Sequence, residues 1–230
     1  MKRIFDILLS LVGLLFLSLP IFFFALLIWL EDFKNPFYYA SRVGKNYKKF
    51  HMVKLRSMIV DAEKNGVEST MSNDPRITKI GTLIRAYKID EFTQLWNVLV
   101  GNMSLVGPRP NTERGVNLYT DSEKKLLEIK PGMTDFASIV FSDEGEILKD
   151  SKDPDFMYDS LIRPWKSKLG ILYCEKSNVY LDFIIIFLTV LAIFSKKVSL
   201  KFLSEVLKNI NAENDLIEIS KRRKPLLPLE

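Results

Sequence analysis

The sequence predicts a small, mostly helical α+β domain with short strands, anchored by an apolar N-terminal helix that enters a membrane. Three observations predict this fold class. No residue from Ile7 to Leu30 is charged. Apolar residues recur at helical spacing between Ile77 and Val100. Aromatic and β-branched residues alternate with bases between Phe37 and Met58, which is typical of short strands.

The composition narrows the chemistry that the chain could perform. It contains one cysteine, Cys174, and one histidine, His51, which excludes disulfide frameworks and Cys/His metal sites. The sequence has neither a P-loop nor a Rossmann glycine motif. Any reaction must therefore use carboxylates, lysines and arginines, with a hard metal ion if one is needed. The net charge of +5 suits an anionic membrane surface or phosphate-bearing substrates, and we expect no nucleic-acid partner.

The uncharged segment is long enough, at ~1.5 Å per residue, to cross a bilayer core of roughly 30 Å. Pro20 lies near its middle and predicts a kink, because proline removes a backbone donor and displaces the carbonyl four residues earlier. Ser18 could satisfy a backbone group that the kink frees. Bases flank both ends, and the positive-inside rule places bases on the cytoplasmic side. A re-entrant helix broken at Ser18 and Pro20 satisfies both flanks, and a kinked single span is the alternative.

We divide the chain into a re-entrant membrane helix (1–32), a main domain with interfacial helices (33–195), and an amphipathic helix with a basic tail (196–230). The apolar stripe of that amphipathic helix makes it a candidate to lie on the membrane surface. The apolar run Phe183–Phe194 is too short to span a bilayer and predicts a helix at the membrane surface. Residues Phe136–Phe141 predict a short strand or turn. The basic cluster Lys221–Lys224 could contact anionic lipid or belong to a solvated terminus.

Two adjacent carboxylates, Asp90 and Glu91, stand where the second helical run begins. Backbone N–H groups at a helix start favour negative charge, so a carboxylate there stays ionised and a phosphate can bind beside it. Such a carboxylate can attack phosphorus and form an acyl phosphate. Its neighbour can hold Mg²⁺, which a diphosphate substrate also binds. The alternative is that Asp90 is a helix N-cap and Glu91 an ordinary first-turn acid.

Four bases accompany this pair. Lys54 and Arg56 lie on a predicted strand, and Arg85 precedes Asp90 by five residues. Arg109 stands between two prolines, which limit the motion of the backbone that carries it. Arginine can donate two parallel hydrogen bonds to a phosphate. Each base alone could be a surface charge, but together they predict a phosphate-binding cluster.

Seven blocks of the sequence carry a resemblance to a known family. They are Lys2–Asp6, Arg42–Gly44, Lys54–Met58, Asp74–Gly81, Asp90–Leu99, Met103–Pro110 and Lys130–Thr134. With these blocks, in this order, the chain resembles the small monotopic phosphoglycosyl transferases of the bacterial sugar transferase family over residues 2–195. So many ordered blocks favour a relationship over a chance match.

The resemblance implies transfer of a sugar-1-phosphate from a UDP-sugar to polyprenyl (undecaprenyl) phosphate. Asp90 would match the family's nucleophile, which attacks the β-phosphate and releases UMP. Glu91 would match the partner that binds Mg²⁺ and acts as an acid or base. Lys54, Arg85 and Arg109 would match the phosphate-binding bases.

The resemblance also implies a location and partners. The re-entrant helix would lie in the lipid of the bacterial inner (cytoplasmic) membrane, with the catalytic domain on the cytoplasmic face. The reaction would be the first membrane step of a surface glycan or glycoconjugate pathway. A second copy of the chain and downstream glycosyltransferases are the protein partners to consider.

Two departures from the family pattern leave details open, and functions other than sugar-1-phosphate transfer also remain as alternatives. Leu19 separates Ser18 from Pro20, where the family has Ser-Pro, so the depth and angle of the bend are open. Asp135–Ser138 replace a segment that often begins with glycine, in a region expected to border the sugar or nucleotide, so substrate choice is open.

One alternative function is a non-catalytic membrane-surface protein that binds polyprenyl phosphate or acts as a scaffold. Another is a glycosyltransferase that transfers only the sugar and releases UDP.

Overall fold

The computed structural model describes residues 1–62, 66–223 and 226. The helices are α1 (Lys2–Asp32), α2 (Lys79–Ala86), α3 (Gln94–Val100), α4 (Glu113–Asn117), α5 (Phe136–Val140), α6 (Glu144–Ile147), α7 (Pro154–Met157), α8 (Arg163–Lys176), α9 (Val179–Phe194), α10 (Lys196–Asn209) and α11 (Asn214–Lys221). The strands are β1 (Phe37–Val43), β2 (Lys49–Leu55), β3 (Ser104–Val106) and β4 (Gly132–Thr134). The prediction of a mostly helical chain with short strands is confirmed.

α1 is one continuous helix through Pro20, about 46 Å long at ~1.5 Å per residue. It is long and apolar enough to cross a membrane. The secondary structure is therefore not broken at Ser18 and Pro20, where the sequence predicts a break. The Ser18 hydroxyl donates to the Leu15 carbonyl oxygen at 2.8 Å. The carbonyl that loses its usual donor to Pro20 is that of Phe16, so Ser18 does not compensate for the proline as expected.

The first turn of α1 is fastened to the domain by an ion pair. Lys2 Nζ lies 2.5 Å from a carboxylate oxygen of Asp182 and 3.0 Å from the Val106 carbonyl oxygen. The Tyr173 hydroxyl donates to the other oxygen of Asp182 at 2.5 Å. Asp182 is fully buried at the start of α9. Lys2 therefore neutralises a charge whose burial would otherwise be costly.

Two more charged side chains of α1 bind the region where α3 ends and β3 begins. Arg3 donates to the carbonyl oxygens of Val98 and Leu99 at 2.5 and 2.7 Å, where the end of a helix carries partial negative charge. Asp6 is buried and accepts from the backbone N–H of Leu105 at 3.0 Å. α1 is thus hydrogen-bonded to both α3 and β3.

The other end of α1 binds the same domain. Both carboxylate oxygens of Asp32 accept from Arg56, at 2.5 and 2.6 Å. Between the two ends, α1 and α3 approach closely at Gly13, where an added Cβ would lie 2.9 Å from Leu95 Cδ1. Ile28 is buried in a small core with residues of β2 and α2. α1 therefore lies along the domain for most of its length.

The outer face of α1 is apolar and exposed. Its exposed residues include Leu8, Leu15, Phe16, Leu19 and Phe22. The outer face of α9 is also apolar, with Phe183, Phe187, Val190 and Phe194 exposed. The ring centroids of Phe5 and Phe183 are 4.4 Å apart, so the two faces adjoin. We call the two faces together the apolar surface.

Two small sheets complete the region near α3. β1 and β2 form an antiparallel hairpin in which Phe37 pairs with Leu55 and Val43 with Lys49. This confirms the two strands predicted between Phe37 and Met58. β3 and β4 pair in parallel, although the chain between them is long. This pairing places the loop that follows β3 beside α3.

The main core lies among α5, α8, α9 and α10, with Phe136, Tyr173, Ile185 and Leu203 almost wholly buried. The prediction of a strand or turn for Phe136–Phe141 is wrong, because most of this segment is α5. The Asp135 carboxylate accepts from the backbone N–H of Ser138 at 2.7 Å and so caps the helix. Packing and this cap outweigh the β propensity of the aromatic and β-branched residues.

The C-terminal helices belong to the same core. Leu203 and Leu207 of α10 and Leu216 of α11 are buried in it. Much of the apolar stripe expected to lie on a membrane therefore faces protein, although Phe202 is exposed. In the basic cluster, Lys221 bonds Glu218, and Lys224 lies outside the described residues.

We expect Lys2→Met to loosen the attachment of α1. The change leaves the buried Asp182 carboxylate without its cation, at a cost of about 1.5–3 kcal/mol. Thermal unfolding in detergent should show a lower Tm than for the wild type. Lys152→Met is the matched control, because Lys152 is exposed and has no ion pair in the described part of the chain. Equal Tm values for the two variants would contradict the attachment.

Candidate active site

The two carboxylates predicted to be catalytic lie on a short 3₁₀ turn, Ile89–Glu91, between α2 and α3. Lys88 precedes the turn in a left-handed conformation (φ 57°, ψ 23°). The two residues after the turn keep right-handed helical angles, so it runs on into α3. Asp90 is only 5% exposed. Its carboxylate lies near Lys54 and, in the described part of the chain, accepts no backbone N–H as an N-cap would.

Lys54 reaches both carboxylates from β2. Its Nζ lies 3.5 Å from Asp90 Oδ2 and 3.3 Å from Glu91 Oε1. These distances exceed the 2.7–2.9 Å or so of a strong charge-assisted hydrogen bond. Lys54 therefore supplies positive charge between the two groups while leaving the Asp90 carboxylate loosely held.

α3 places Lys54 by binding the backbone of β2. The Thr93 hydroxyl donates to the Val53 carbonyl oxygen at 2.9 Å. The Asn97 side chain accepts from the Val53 N–H at 2.9 Å and donates to the His51 carbonyl oxygen at 2.8 Å. Both side chains are buried, where such hydrogen bonds are costly to lose. The strand that carries Lys54 and the turn that carries Asp90 are thus one rigid unit.

Arg109 reaches Glu91 from the loop that follows β3. Its Nη2 lies 2.5 Å from Glu91 Oε1, and its Nη1 donates to the Met133 carbonyl oxygen at 2.7 Å. The loop before Arg109 touches β4 at two glycines, since a Cβ on Gly132 would lie 2.1 Å from the nitrogen of Gly107. Glycine at this contact lets β3 and β4 come close enough to aim Arg109 at Glu91.

The charges around Glu91 keep it ionised. Burial would raise the pKa of the Glu91 carboxyl, but Arg109, Lys54 and Lys88 outweigh burial and hold that pKa well below its usual range. Burial would likewise lower the pKa of Arg109, and the negative charge of Glu91 raises it instead. At neutral pH the site therefore contains a carboxylate surrounded by cations.

Glu91 could also hold a metal ion together with a substrate. Arg109 and Lys54 both contact its Oε1, which leaves its second oxygen free to coordinate a metal. Among the described residues no three His, Cys, Asp or Glu side chains cluster in a way that could enclose a metal. Mg²⁺ is commonly held by one or two carboxylates with water and substrate phosphates. The oxygen donors here fit that mode of binding.

The structure does not bring all four predicted bases to the carboxylates. Arg85 donates to the Ser57 hydroxyl at a long 3.4 Å and contacts neither acid. Arg56 is 8% exposed, and its guanidinium is engaged by Asp32 and by the Asn35 carbonyl oxygen. In this structure Arg56 therefore attaches α1 to the domain and does not contact Asp90 or Glu91. The sequence gives no local sign of this pairing.

Lys88 is a cation near the carboxylates that sequence reasoning missed. Burial and the charges of Arg109 and Lys54 lower its pKa, while Glu91 and Asp90 act in the opposite direction. It forms no ion pair within 4.0 Å in the described part of the chain. The sequence feature that could have identified Lys88 is its position two residues before Asp90.

Arg42 is a second missed cation. The sequence suggests that it flanks the membrane segment, but it lies near the end of β1 within electrostatic reach of Arg109. Burial, and then the charge of Arg109, lower the pKa of Arg42. Among the described residues no carboxylate pairs with it, and its Nη1 donates to the Ser41 carbonyl oxygen at 2.8 Å. The site thus has an excess of positive charge suited to an anionic ligand.

Comparison with known proteins agrees with this geometry. Residues 1–196 match the family model described as bacterial sugar transferase. The chain belongs to the bacterial sugar transferase family. The family resemblance inferred from the seven sequence blocks is confirmed, and the matched region includes every member of the site described above.

Three relatives illustrate the range of the family. The chain is 48% identical over 133 residues (58% of this chain, 70% of the relative) to a Bacillus subtilis (strain 168) protein named "Putative undecaprenyl-phosphate N-acetylgalactosaminyl 1-phosphate transferase". It is 36% identical over 196 residues (82% and 35%) to the undecaprenyl-phosphate glucose phosphotransferase of Komagataeibacter xylinus. It is 30% identical over 198 residues (84% and 44%) to the UDP-N-acetylgalactosamine-undecaprenyl-phosphate N-acetylgalactosaminephosphotransferase of Aeromonas hydrophila. The chain thus spans less than half of the last two relatives.

We expect Arg109→Gln to reduce sugar-transfer activity far more than Arg85→Gln. Arg109 contacts Glu91, and removing one such fixed donor typically lowers kcat by about 10²–10³-fold. Arg85 contacts neither acid, so its variant should stay within about tenfold of the wild type. The measurement is kcat/KM for both variants under the same conditions. Equal losses would place Arg85 in the phosphate-binding group beside Arg109.

Proposed function

We propose that the protein transfers a sugar-1-phosphate from a UDP-sugar to polyprenyl (undecaprenyl) phosphate, through a covalent phosphosugar on Asp90, and releases UMP. The observation that carries this proposal is the buried Asp90 carboxylate, loosely held beside an ionised Glu91 and between Lys54 and Arg109. The printed names of the relatives, which are sugar phosphotransferases acting on undecaprenyl phosphate, support the same reaction.

In the first step, a carboxylate oxygen of Asp90 forms a bond to the β-phosphorus of the UDP-sugar. The bond from this phosphorus to the bridging oxygen breaks, and UMP leaves with that oxygen. Lys54 and Arg109 neutralise charge on the phosphates as it develops, which is the largest effect that fixed cations provide. The phosphosugar remains on Asp90 as an acyl phosphate.

In the second step, an oxygen of polyprenyl phosphate forms a bond to the same phosphorus, and the acyl oxygen of Asp90 leaves as a carboxylate. Because the second pKa of a phosphate monoester is only about 6, the incoming phosphate has mostly lost that proton at neutral pH and can attack without a base. The low pKa of Glu91 suits this carboxylate to hold a cation rather than to accept a proton. Mg²⁺ would be held by Glu91 and the phosphates of the donor. When bound, it would supply a positive charge against the leaving phosphate.

An apolar groove beside α1 supports a lipid substrate. It has a volume of about 560 Å³ and is lined by Leu14, Ile21, Ala25, Trp29 and other apolar residues of α1, together with Pro36 and Phe37. Phe37 pairs with Leu55, the residue that follows Lys54. A polyprenyl chain in this groove would therefore have its phosphate end near the strand that carries Lys54.

The way α1 is attached supports placement of the protein on one side of the bilayer. Its first turn binds Asp182 and the end of α3, and its last residue binds Arg56. Both flanks therefore lie against one domain, which favours an arrangement with the two ends of α1 on the same side of the bilayer over a simple span. The apolar surface provides the face that enters the lipid. With the basic flanks, this supports the cytoplasmic face of the inner membrane.

The decisive experiment measures nucleotide release from a panel of UDP-sugars with detergent-solubilised protein, Mg²⁺ and polyprenyl phosphate. We expect UMP from one donor and no turnover by Asp90→Asn, because the amide cannot replace the nucleophile. Asp121→Asn is the matched control, since the Asp121 side chain is 98% exposed. Without polyprenyl phosphate, the wild type should gain the mass of one phosphosugar by intact-protein mass spectrometry, and Asp90→Asn should not.

Other outcomes identify the competing functions. Release of UDP in place of UMP would indicate a glycosyltransferase that moves only the sugar. Wild-type activity in Asp90→Asn would remove Asp90 from the nucleophilic role. Binding of polyprenyl phosphate without nucleotide release from any donor would favour the non-catalytic lipid-binding or scaffold protein.

A labelling experiment tests the membrane arrangement. Ile4 and Phe33 lie near opposite ends of α1 and are 64% and 69% exposed. In a Cys174→Ser background, Ile4→Cys and Phe33→Cys should both react with a membrane-impermeant maleimide in inside-out vesicles and neither in right-side-out vesicles. Reaction of the two cysteines from opposite sides would establish a spanning helix.

A further inference from the structure

The part of the chain beyond the family match packs on α5, the short helix that follows Met133. The family model ends at residue 196, and α10 and α11 follow. Lys196 begins α10, and Arg222 comes directly after α11 in a left-handed conformation (φ 49°, ψ 38°). Both side chains bind the same carboxylate, Asp143: Lys196 Nζ at 2.6 Å and Arg222 Nη2 at 3.3 Å. We call these three residues the C-terminal clamp.

The clamp is built as a specific contact. The Arg222 guanidinium also lies over the ring of Phe141, 5.6 Å from its centroid, which is a favourable cation–π distance. Arg222 and Lys196 side chains are only 15% and 28% exposed. Burial would raise the pKa of Asp143, but the two cations lower it, so the carboxylate stays ionised. A partly buried ion pair of this kind is screened less by salt than a surface pair.

The clamp fixes the far end of α5. Phe141 and Asp143 come directly after this helix, and α10 and α11 pack on it through the main core. The near end of α5 starts at Asp135, two residues after Met133, whose carbonyl oxygen binds Arg109. α5 is therefore held at one end beside Arg109 and at the other end by the clamp.

A second connection runs through the residue after Asp143. Glu144 forms an ion pair with Lys166 on α8. Lys166 lies within electrostatic reach of Arg109, and its ammonium is 5.3 Å from the centroid of the Tyr158 ring. Movement of the segment after α5 would therefore also move charges next to Arg109.

We propose that Arg222 is a positioning residue for the nucleotide-sugar donor: with Lys196 it holds Asp143 and so fixes α5, and through α5 it fixes the Met133 carbonyl oxygen that orients Arg109. The inference rests on the proposed function for the identity of the donor. It assigns to the segment beyond the family match a role in donor binding that is separate from the chemistry at Asp90. Deleting the segment would not test this, because α10 and α11 bury leucines of the main core.

The test compares Arg222→Gln with Lys221→Gln in the full-length protein. Both remove one positive charge from the same end of the chain, but Lys221 bonds only Glu218 of its own helix in the described structure. Donor binding is measured by calorimetry with UDP and with UDP-N-acetylgalactosamine, in the presence of Mg²⁺. We expect Arg222→Gln to weaken binding about tenfold, as the loss of one charged hydrogen bond would, while Lys221→Gln matches the wild type.

Kinetics and hydrogen exchange separate positioning from a general loss of stability. Arg222→Gln should raise KM for the donor with kcat within about twofold, leave KM for polyprenyl phosphate unchanged, and speed amide exchange in α5. Arg222→Lys, which keeps the charge, should recover part of the donor affinity. Asp143→Asn should match Arg222→Gln, and the double variant should show no further loss.

Results that would overturn the clamp can be distinguished from results that would overturn the proposed sugar-1-phosphate transfer. Exchange in α5 does not require a ligand, so unchanged exchange in Arg222→Gln would overturn the clamp itself. Faster exchange with unchanged donor affinity would overturn its role in donor binding. Absence of UDP or UDP-sugar binding by the unmodified protein would count against the proposed reaction and, with it, the donor-side role, but not against the exchange result.

Discussion

The attachment of α1 to the end of α3 is the constraint on which the rest of the site depends. Arg3 binds carbonyls in the last turn of α3, while Thr93 at its start and Asn97 in its middle bind β2. One short helix thus connects the membrane segment, the turn that carries Asp90 and the strand that carries Lys54. A shift of α1 would be transmitted to the Asp90 carboxylate, because the buried hydrogen bonds along this path are costly to lose.

The site carries more positive than negative charge in the absence of a substrate. Glu91 attracts both Arg109 and Lys54 to the same oxygen, and so holds these cations where a diphosphate could take them over. Lys88 and Arg42 add positive charge that no described carboxylate pairs directly. Because cations aimed in advance at a phosphate need not reorganise during the reaction, this arrangement favours phosphoryl transfer. The loosely held Asp90 is then the group left free to react.

The sequence was informative where the signal was local. An uncharged run predicted α1, and the ordered motifs pointed to Asp90, Glu91, Lys54 and Arg109, whose side chains the structure brings together. Arg56 could not be placed, because its partner Asp32 is distant in sequence and a base on a strand gives no sign of which acid it meets. The helix α5 was missed because its β-branched and aromatic residues obey packing and the Asp135 cap more than propensity. The burial of α10 was missed because an amphipathic stripe suits a protein core as well as a membrane.

The depth of the reacting groups relative to the lipid follows from the same attachments. Tyr87 at the end of α2 and Trp96 of α3 are more than half exposed, and they flank the turn of Asp90 on the two sides along the chain. Tyrosine and tryptophan favour the boundary between lipid and water. With α1 and α9 presenting the apolar surface below, these aromatic residues would hold Asp90 at the level of the headgroups. Under the proposed function, the phosphate of the lipid substrate would lie at that level, where a soluble nucleotide sugar and a membrane lipid could reach one carboxylate in turn.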